Sequence, residues 1–353
     1  MSQPDMVARK ERADQALGRL DGITLLLPDP TLFLYQYVRK EALLSSQIEG
    51  TQSSLSDLLL FELDEAPGVP VDDVEEVSNY VDALNHGLRR MRQDGFPLSL
   101  RLLREIHERL LRGSRGAHKT PGEFRRSQNW IGGRSPATAA FVPPPPEHLP
   151  QCLGDLERFL HDPCVPTVIR AALAHVQFET IHPFLDGNGR LGRLLIALML
   201  CNDRVLREPT LYLSLYFKTH RARYYAQLDA VRTHGDWEGW LAFFLDGIAE
   251  TAQQAVDTAQ RLLQLLGADR ARVNALGRRA GNIAQVFELL AQRVVLTVPQ
   301  ATPRLALSPP TIRAAIDSLI ELGIVNELTG QRRNRVFAYQ RYLEILSEGA
   351  QPL

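Results

Sequence analysis

The chain has 353 residues, with 40 Lys and Arg against 41 Asp and Glu, and a formal net charge of −1. Such a length suits two or three domains with ample core, and so even a charge argues against wholesale binding to nucleic acid or to a membrane. The three cysteines, Cys152, Cys164 and Cys201, form no Cys-x-x-Cys pair; they read as reduced thiols packed as small hydrophobes, with neither a disulfide framework nor zinc spacing.

The opening residues MSQPDMVARKERADQ are polar and charged, so no signal peptide is expected and the chain reads as cytoplasmic. Residues 41–60 read as one helix with Leu44, Ile48, Leu55 and Leu59 near one face. Ser45 and Glu49, four apart, share a side of it. Gly50 inside such a helix costs about 1 kcal/mol relative to Ala and leaves room for a backbone or a ligand. Breaks follow at 67–70, 113–122 and 143–150. Between the last two, Gln128-Asn129-Trp130-Ile131-Gly132-Gly133-Arg134 precedes Phe141-Val142 and the prolines at 143–146. This stretch reads either as an irregular hairpin closed by polyproline or as a loop crossing a helical protein.

The apolar run 168–181 predicts a helix that ends at His182, because Pro183 disfavours α conformation in the residue before it. His175 within it reads as a packing or hydrogen-bonding residue. The next twelve residues are His182-Pro183-Phe184-Leu185-Asp186-Gly187-Asn188-Gly189-Arg190-Leu191-Gly192-Arg193. Gly187 and Gly189 permit a tight turn and close approach of backbone N–H groups to a ligand. Apolar spacing resumes at Leu191, Leu194, Leu195 and Leu198, so a new helix starts on the glycines with its positive end facing the loop. Arg190 and Arg193, three apart, share a face. Each residue type has a chemical use there. His182 accepts a proton near neutral pH, and Asp186 is a hard oxygen ligand for Mg²⁺ shared with phosphates. The Gly187–Gly189 amides and the Asn188 side chain suit charge on a transferring phosphoryl-type group. The residues alone therefore predict a polyphosphate site and phosphoryl-type transfer, without a Walker A loop or a dinucleotide fingerprint. Residues 191–200 are apolar but far too short to span a bilayer.

A helix is predicted from about Asp236 through Trp237, Trp240, Phe243 and Phe244 towards Gly267, with a change of texture at 277–281. A short helix at 286–290 and a β-branched segment at 294–298 follow. Ser308 then N-caps a helix with proline at its first position. Residues 324–328 and the alternating stretch 335–339 flank Thr329-Gly330. Helix, helix and a hairpin with basic residues at its tip resemble a winged helix-turn-helix domain. Arg332, Arg333 and Arg335 on the wing suit phosphate contacts, whereas Arg313 alone is thin equipment for base readout. DNA binding, dimer packing and target presentation all stay open for this unit.

The run 182–193 matches the motif His-Pro-Phe-x-Asp/Glu-Gly-Asn-Gly-Arg-x-x-Arg at every specified position, and the chain thereby resembles the Fic family. The resemblance implies transfer of AMP from ATP to a Ser, Thr or Tyr hydroxyl of a target protein, or of the chain itself. His182 would deprotonate the hydroxyl and Asp186 would bind Mg²⁺. Gly187, Asn188, Gly189 and Arg190 would cradle the α- and β-phosphates, and Arg193 the γ-phosphate. Ser45-x-x-x-Glu49-Gly50 resembles the family's inhibitory helix, whose glutamate would pair with Arg193, making this a self-inhibited form. Residues 128–146 would be the flap, a hairpin that aligns the target by main-chain pairing, with Ile131 and Gly132 touching the nucleotide. Tyr224 and Tyr225 resemble a tyrosine pair on the adenine side, although core packing is the plainer reading of two tyrosines on a helix.

The expected fold is mainly α: an N-terminal helical region (1–112) carrying the inhibitory helix, a Fic-type helical core with a small β-hairpin flap (113–265), and a C-terminal winged helix-turn-helix domain (275–350). A homodimer is the default assembly, and no membrane segment is expected. Two alternatives stand beside AMP transfer: another phosphoryl-type transfer on the same fold, and a non-enzymatic nucleotide-sensing, DNA-binding regulator. An intact His182 favours an enzyme, since a sensor has no need of a base.

Overall fold

The computed structural model describes residues 3–26, 30–63, 69–113, 115–133, 135–330 and 335–352; the expectations for Arg134, Arg332 and Arg333 fall outside these. The described residues are mainly helical. In chain order they form α1 (Gln3–Leu26), α2 (Pro30–Ile48), α3 (Leu55–Phe61), α4 (Val71–Arg92), α5 (Leu100–Leu110), α6 (Leu149–Leu160), α7 (Thr167–Ile181) and α8 (Asn188–Asn202). These are followed by α9 (Ser214–Thr219), α10 (Arg221–His234), α11 (Trp237–Asn274), α12 (Ala280–Arg293), α13 (Val298–Leu305), α14 (Pro309–Glu321) and α15 (Gln340–Ser347). Three short strands, β1 (Val295–Thr297), β2 (Val325–Glu327) and β3 (Val336–Tyr339), form an antiparallel sheet in the order β1-β3-β2.

The antiparallel pair α7 and α8 is the centre of the molecule. Both are buried nearly all round, which is what a helix apolar on every face requires. The α7 face carries Ala171, Ala172 and Ala174 beside Val176 and Phe178, and α8 carries Leu191, Leu194, Leu195 and Leu198. Helix α6 packs on α7, α4 on α8, and α5 bridges α4 and α8. Helix α11 lies across α7, and Trp240 pins it there by donating its indole N–H to the Ala172 carbonyl at 2.8 Å. Asp236 caps α11 by accepting from the Gly239 N–H at 2.9 Å.

The single helix expected over 41–60 is two helices. Chain α2 stops at Ile48, where Glu49 and Gly50 make a turn onto the carbonyls of Ser46 and Gln47 at 3.0 Å each. Gly50 there has φ +105°, a value that suits glycine and ends a helix. Ser54 then starts α3 with a capping box completed by Asp57. Glycine therefore terminates the helix here rather than weakening its interior.

Towards the C-terminus, α11 runs unbroken past Gly267 to Asn274, across the gap between the domain bounds expected at 265 and 275. The strands at β1, β2 and β3 and the Ser308 N-cap of α14 stand where they were expected. Helix α12 is longer than the stretch 286–290, and α13 and α15 were not foreseen. Helix α13 is opened by Thr297, which caps the Gln300 N–H, with Pro299 in its first turn; the β-branched residues just before it masked that signal. The end of the chain folds back onto α2, where the buried Gln47 amide donates to both Ser53 O and Ala350 O at 2.9 Å. No helix among the described residues is long and apolar enough to cross a membrane.

Candidate active site

The site forms at the turn between α7 and α8. His182 ends α7 in a left-handed conformation (φ 48°, ψ 60°), with its N–H on the Phe178 carbonyl at 2.9 Å. Pro183 excludes the α region as anticipated, but the backbone turns left-handed instead of extended, which sends the imidazole back over the last turn of α7. A non-glycine residue held there costs of the order of 1–3 kcal/mol and persists only where its surroundings over-determine it.

Those surroundings are visible. Arg125, 3% exposed, donates to the carbonyls of His182 (3.0 Å), Ile181 (3.4 Å), Ser127 (3.3 Å) and Pro144, and its own N–H reaches the Pro183 carbonyl at 2.9 Å. Asn129 donates to the His182 and Phe184 carbonyls at 3.3 and 2.9 Å. His107 of α5 stacks on Phe184, with ring centroids 3.7 Å apart. Its Nδ1 accepts the Gly122 N–H at 2.9 Å, so the proton sits on Nε2, which donates to the Asp186 carbonyl at 2.9 Å. Burial pushes this ring down to about 4, so it stays neutral and holds the loop in that tautomer.

The Asn188 amide is turned inward. Its Oδ1 accepts the Phe184 N–H and its Nδ2 donates to the Phe184 carbonyl, each at 2.9 Å. The side-chain role expected for Asn188 towards a phosphate is thus corrected: the amide staples the loop, and what it leaves for an anion is its backbone N–H at the start of α8. Gly187 (φ +74°) caps that helix without a side chain, so the first N–H groups of α8 lack partners within the helix.

Arg190 and Arg193 both lie in the first turns of α8, and both are buried. Arg190 pairs with Glu76 of α4 at 3.0 Å and stands 3.8 Å from Asp186. Arg193 donates to Ser45 Oγ and Ser45 O at 2.9 Å each, and to Glu49 Oε1 at 2.6 Å. The geometry brings Glu49 to Arg193 as expected, and adds Ser45, whose pairing with Arg193 was not foreseen. Burial alone raises the Glu49 carboxyl, but Arg193 outweighs this and holds it below the ordinary range. A methyl group on Gly189 would collide with the Glu49 carboxylate, so Glu49 lies directly against the anion cradle.

Asp186 keeps one oxygen on the Gly187 N–H at 2.6 Å, and its side chain is 44% exposed. No cluster of three or more acidic, histidine or cysteine ligands exists among the described residues. One accessible carboxylate beside a phosphate cradle fits Mg²⁺, which keeps waters and shares phosphate oxygens. The imidazole of His182 is pushed down to about 4 by burial and by Arg232, so it is neutral and able to accept a proton at pH 7.

Ile131 and Phe141 pair as an antiparallel bridge, with N–H···O distances of 2.8 and 3.2 Å. Gly132 and Gly133 turn the chain with φ of +68° and +72°, so the stretch doubles back through this one isolated bridge, without strands on either side of it among the described residues. The Arg232 guanidinium lies 4.3 Å from the centre of the Phe141 ring and ties the hairpin to α10, while Trp130 and Val142 stay exposed on it. The tyrosine pair divides. Tyr224 is 1% exposed, donates or accepts with His175 Nε2 at 2.8 Å and stacks on Phe217, which makes it core. Tyr225 is 40% exposed, with the Arg221 guanidinium 5.4 Å from its ring centre. The cysteines are all free thiols: Cys201 is buried, Cys152 half-buried and Cys164 exposed, so the expectation of packed hydrophobes fits Cys201 best.

Arg125, His107 and Asn129 were missed in the sequence because each serves backbone carbonyls or N–H groups far along the chain. Pro-Gly-Glu-Phe-Arg before a Gln-Asn-Trp segment carries no local pattern that marks them.

The N-terminal part matches the Fic/DOC family N-terminal model over residues 7–89, and the next part matches the Fic/DOC family model over residues 97–200. The protein adenylyltransferase Fic of Aedes aegypti is 30% identical over 248 residues, 67% of this chain and 46% of that protein. The protein of the same name from Drosophila ananassae is 34% identical over 160 residues, 44% of this chain and 28% of the relative. The chain thus spans less than half the length of these relatives. Among solved structures, a Fic family protein from Desulfovibrio desulfuricans G20 superposes with a TM-score of 0.63 at 19% identity, over 96% of this chain and 97% of the other. Fic-1 of C. elegans gives 0.55 at 24% identity, over 74% of this chain and 75% of that one. The two matched regions carry the Glu49 turn and the α7–α8 motif between them, and the chain belongs to the Fic/DOC family.

Proposed function

We propose that this protein transfers AMP from ATP to a hydroxyl side chain of a protein, including its own, and that Glu49 restrains the reaction. The observation that carries the reading is the neutral His182 held over a helix N-terminus that also bears Arg190 and Arg193. In the proposed reaction the target hydroxyl gives its proton to His182 and its oxygen attacks the α-phosphorus. The bond from that phosphorus to the bridging oxygen breaks, and pyrophosphate leaves. Arg190 and the backbone amides of Asn188 and Gly189 neutralise the α- and β-phosphates, with the Gly187 N–H kept by Asp186, and Arg193 neutralises the γ-phosphate once Glu49 has left it. Asp186 would hold Mg²⁺, which supplies further charge neutralisation on the phosphates when bound. The turn at Ile131 and Gly132 would serve as the flap, and its exposed Trp130 and Val142 suit an extended target segment added by main-chain pairing. Tyr225 is the tyrosine of the pair open to a nucleotide base.

The order α12-β1-α13-α14-β2-β3, with β1 paired on β3, supports a winged helix for the C-terminal unit. Arg335 of the wing is already neutralised by Glu327 at 3.0 Å, and Arg313 alone is exposed early in α14. These observations favour target presentation or self-association over base readout, so the enzymatic reading is preferred to a DNA-binding regulator. Incubation with ATP labelled at the α or the γ position tests it. Label retained on protein from the α position alone is the expected result; label from γ alone indicates a kinase and overturns the proposal.

A further inference from the structure

Two buried polar groups in the site face one another without a hydrogen bond. Nδ1 of His182 makes no hydrogen bond of good geometry, although the Glu179 backbone carbonyl lies near the ring, and Oε1 of Glu179, one turn earlier on α7, has no partner. Glu179 Oε2 stands 4.0 Å from that Nδ1, and the carboxylate is 6% exposed. An unsatisfied buried acceptor costs about 1–3 kcal/mol, and here two such atoms occur together beside the reacting residue. The fold makes room for the arrangement: a methyl on Gly192 would come within 2.6 Å of Glu179 Oε1. The left-handed turn at His182 is what aims its ring back at this carboxylate.

We propose that Glu179 is a positioning residue of the transfer: it receives the Nδ1–H of His182, which leaves Nε2 free for the target hydroxyl, and it balances the imidazolium that forms. The inference rests on the AMP-transfer reading above. In the step, the hydroxyl proton moves to Nε2 and the oxygen–phosphorus bond forms. The α-phosphorus to bridging-oxygen bond breaks, with its electron pair leaving on pyrophosphate. Glu179 neither gains nor loses a proton in that step. A closing movement of about 1 Å brings the pair into hydrogen-bond range, which a side-chain adjustment supplies.

The charge environment agrees. Burial pushes the Glu179 carboxyl up to about 7, against the nearby Arg193 and Arg232 and with the nearby Glu49. Around His182 stand Arg232, Glu49 and Arg125, with the Glu179 backbone carbonyl favouring the protonated ring. Protonated Glu179 would donate to Nδ1 and leave the proton of the neutral ring on Nε2, the wrong tautomer for a base. Only the ionised form serves, so turnover should rise as pH rises through about 7.

The test compares Glu179→Gln with its parent, both carrying Glu49→Gly to relieve inhibition. Turnover, KM for ATP and the ring-nitrogen NMR signals of His182 in nucleotide-free protein are followed from about pH 5.5 to 8.5. In the parent, the acid limb of kcat and an inflection of the His182 signals should coincide, and should lie below about 7 because Glu49, which helps to raise the Glu179 carboxyl, is absent. In Glu179→Gln both should vanish, and kcat above that limb should fall by at least about tenfold with KM for ATP unchanged. The loss should not exceed the roughly 10²–10⁴-fold cost of removing a general base. A variant that keeps both the limb and the turnover overturns the proposal. So does a parent whose His182 signals show no inflection that coincides with the acid limb of kcat, a result that needs no Glu179 variant to fold. Should the inflection depend on Glu179 while no AMP reaches any protein, the pairing stands and the AMP-transfer reading falls.

Discussion

Replacing Glu49 with Gly should activate the protein, and the structure sets the scale. Arg193 retains both Ser45 acceptors at 2.9 Å when Glu49 is removed, so its guanidinium stays ordered in the site. What is lost is one charge-assisted hydrogen bond of 2.6 Å. Such bonds contribute about 1.5–3 kcal/mol, and a glutamate side chain 37% exposed belongs at the lower end. At about 1.4 kcal/mol per factor of ten, activation should be roughly ten-fold and at most about a hundred-fold. Because Arg193 depresses the Glu49 carboxyl, the pair is intact above the ordinary carboxylate range and is lost only as pH falls through that lowered value. The Glu49–Arg193 pair itself therefore adds no pH dependence to the ratio of variant to parent across the neutral range. Self-modification with α-labelled ATP, run beside Arg193→Ala, is the assay. Inhibition predicts opposite outcomes for the two partners, gain on losing Glu49 and loss on losing Arg193. A purely structural ion pair predicts harm from both, since each change strands a buried charge. A folded Glu49→Gly protein no more active than the parent refutes the reasoning.

Four further outcomes are expected. His182→Ala should lose about 10²–10⁴-fold in turnover while still binding ATP, because the base acts on the hydroxyl; near-normal turnover removes it from that role. Asp186→Ala should weaken Mg²⁺-dependent ATP binding, and EDTA should reproduce this in the parent, whereas metal-independent activity denies Asp186 its ligand role. Arg125→Lys keeps the charge but loses the planar fork across several carbonyls, so the thermal midpoint and turnover should fall together with ATP affinity spared; an unchanged midpoint contradicts the loop-holding role. Finally, burial holds His107 and His182 down to about 4 and His175 to about 3. The stability gained by keeping them neutral is full above about 6.5 and is lost as pH falls through those values. Glu41 and Glu179, raised to about 7, act oppositely, with a contribution lost as pH rises to 7. Three histidines outweigh two carboxyls, so the thermal midpoint should drop by several degrees from pH 6.5 to 4. A midpoint that rises over this range contradicts the burial.

Much of the site was legible because its parts are local in sequence. Residues 182–193 encode a helix stop, a glycine turn and a helix start in one run, and Ser45 and Glu49 lie four apart on one helix side. Local patterns failed where the contact is distant or the local choice is two-way. Gly50 fits both a tolerated helix glycine and a terminator, and only the Ser54–Asp57 capping box beyond it decides between them. Asn188 reads as a phosphate donor from its neighbours, but its amide meets the Phe184 backbone four residues back. The division of Tyr224 from Tyr225 depends on which face of α10 meets α7, a tertiary matter. Arg125 and His107 act on carbonyls more than fifty residues away, and no periodicity records that.

Helix α11 has 38 residues, about 57 Å at 1.5 Å per residue. It is fixed beside α7 through Trp240, and near its other end Asp269 accepts the Tyr339 hydroxyl of β3 at 2.7 Å. The C-terminal unit is therefore carried on a strut and not on a leash. A flexible tether lets its cargo sample a cloud whose density at any point falls with linker length. A continuous helix instead gives one reach and one bearing. Whatever docks on α14 or the β2–β3 pair is delivered at a set distance from the α7–α8 site, so lengthening α11 by a single residue would swing it by about 100° as well as shift it by 1.5 Å.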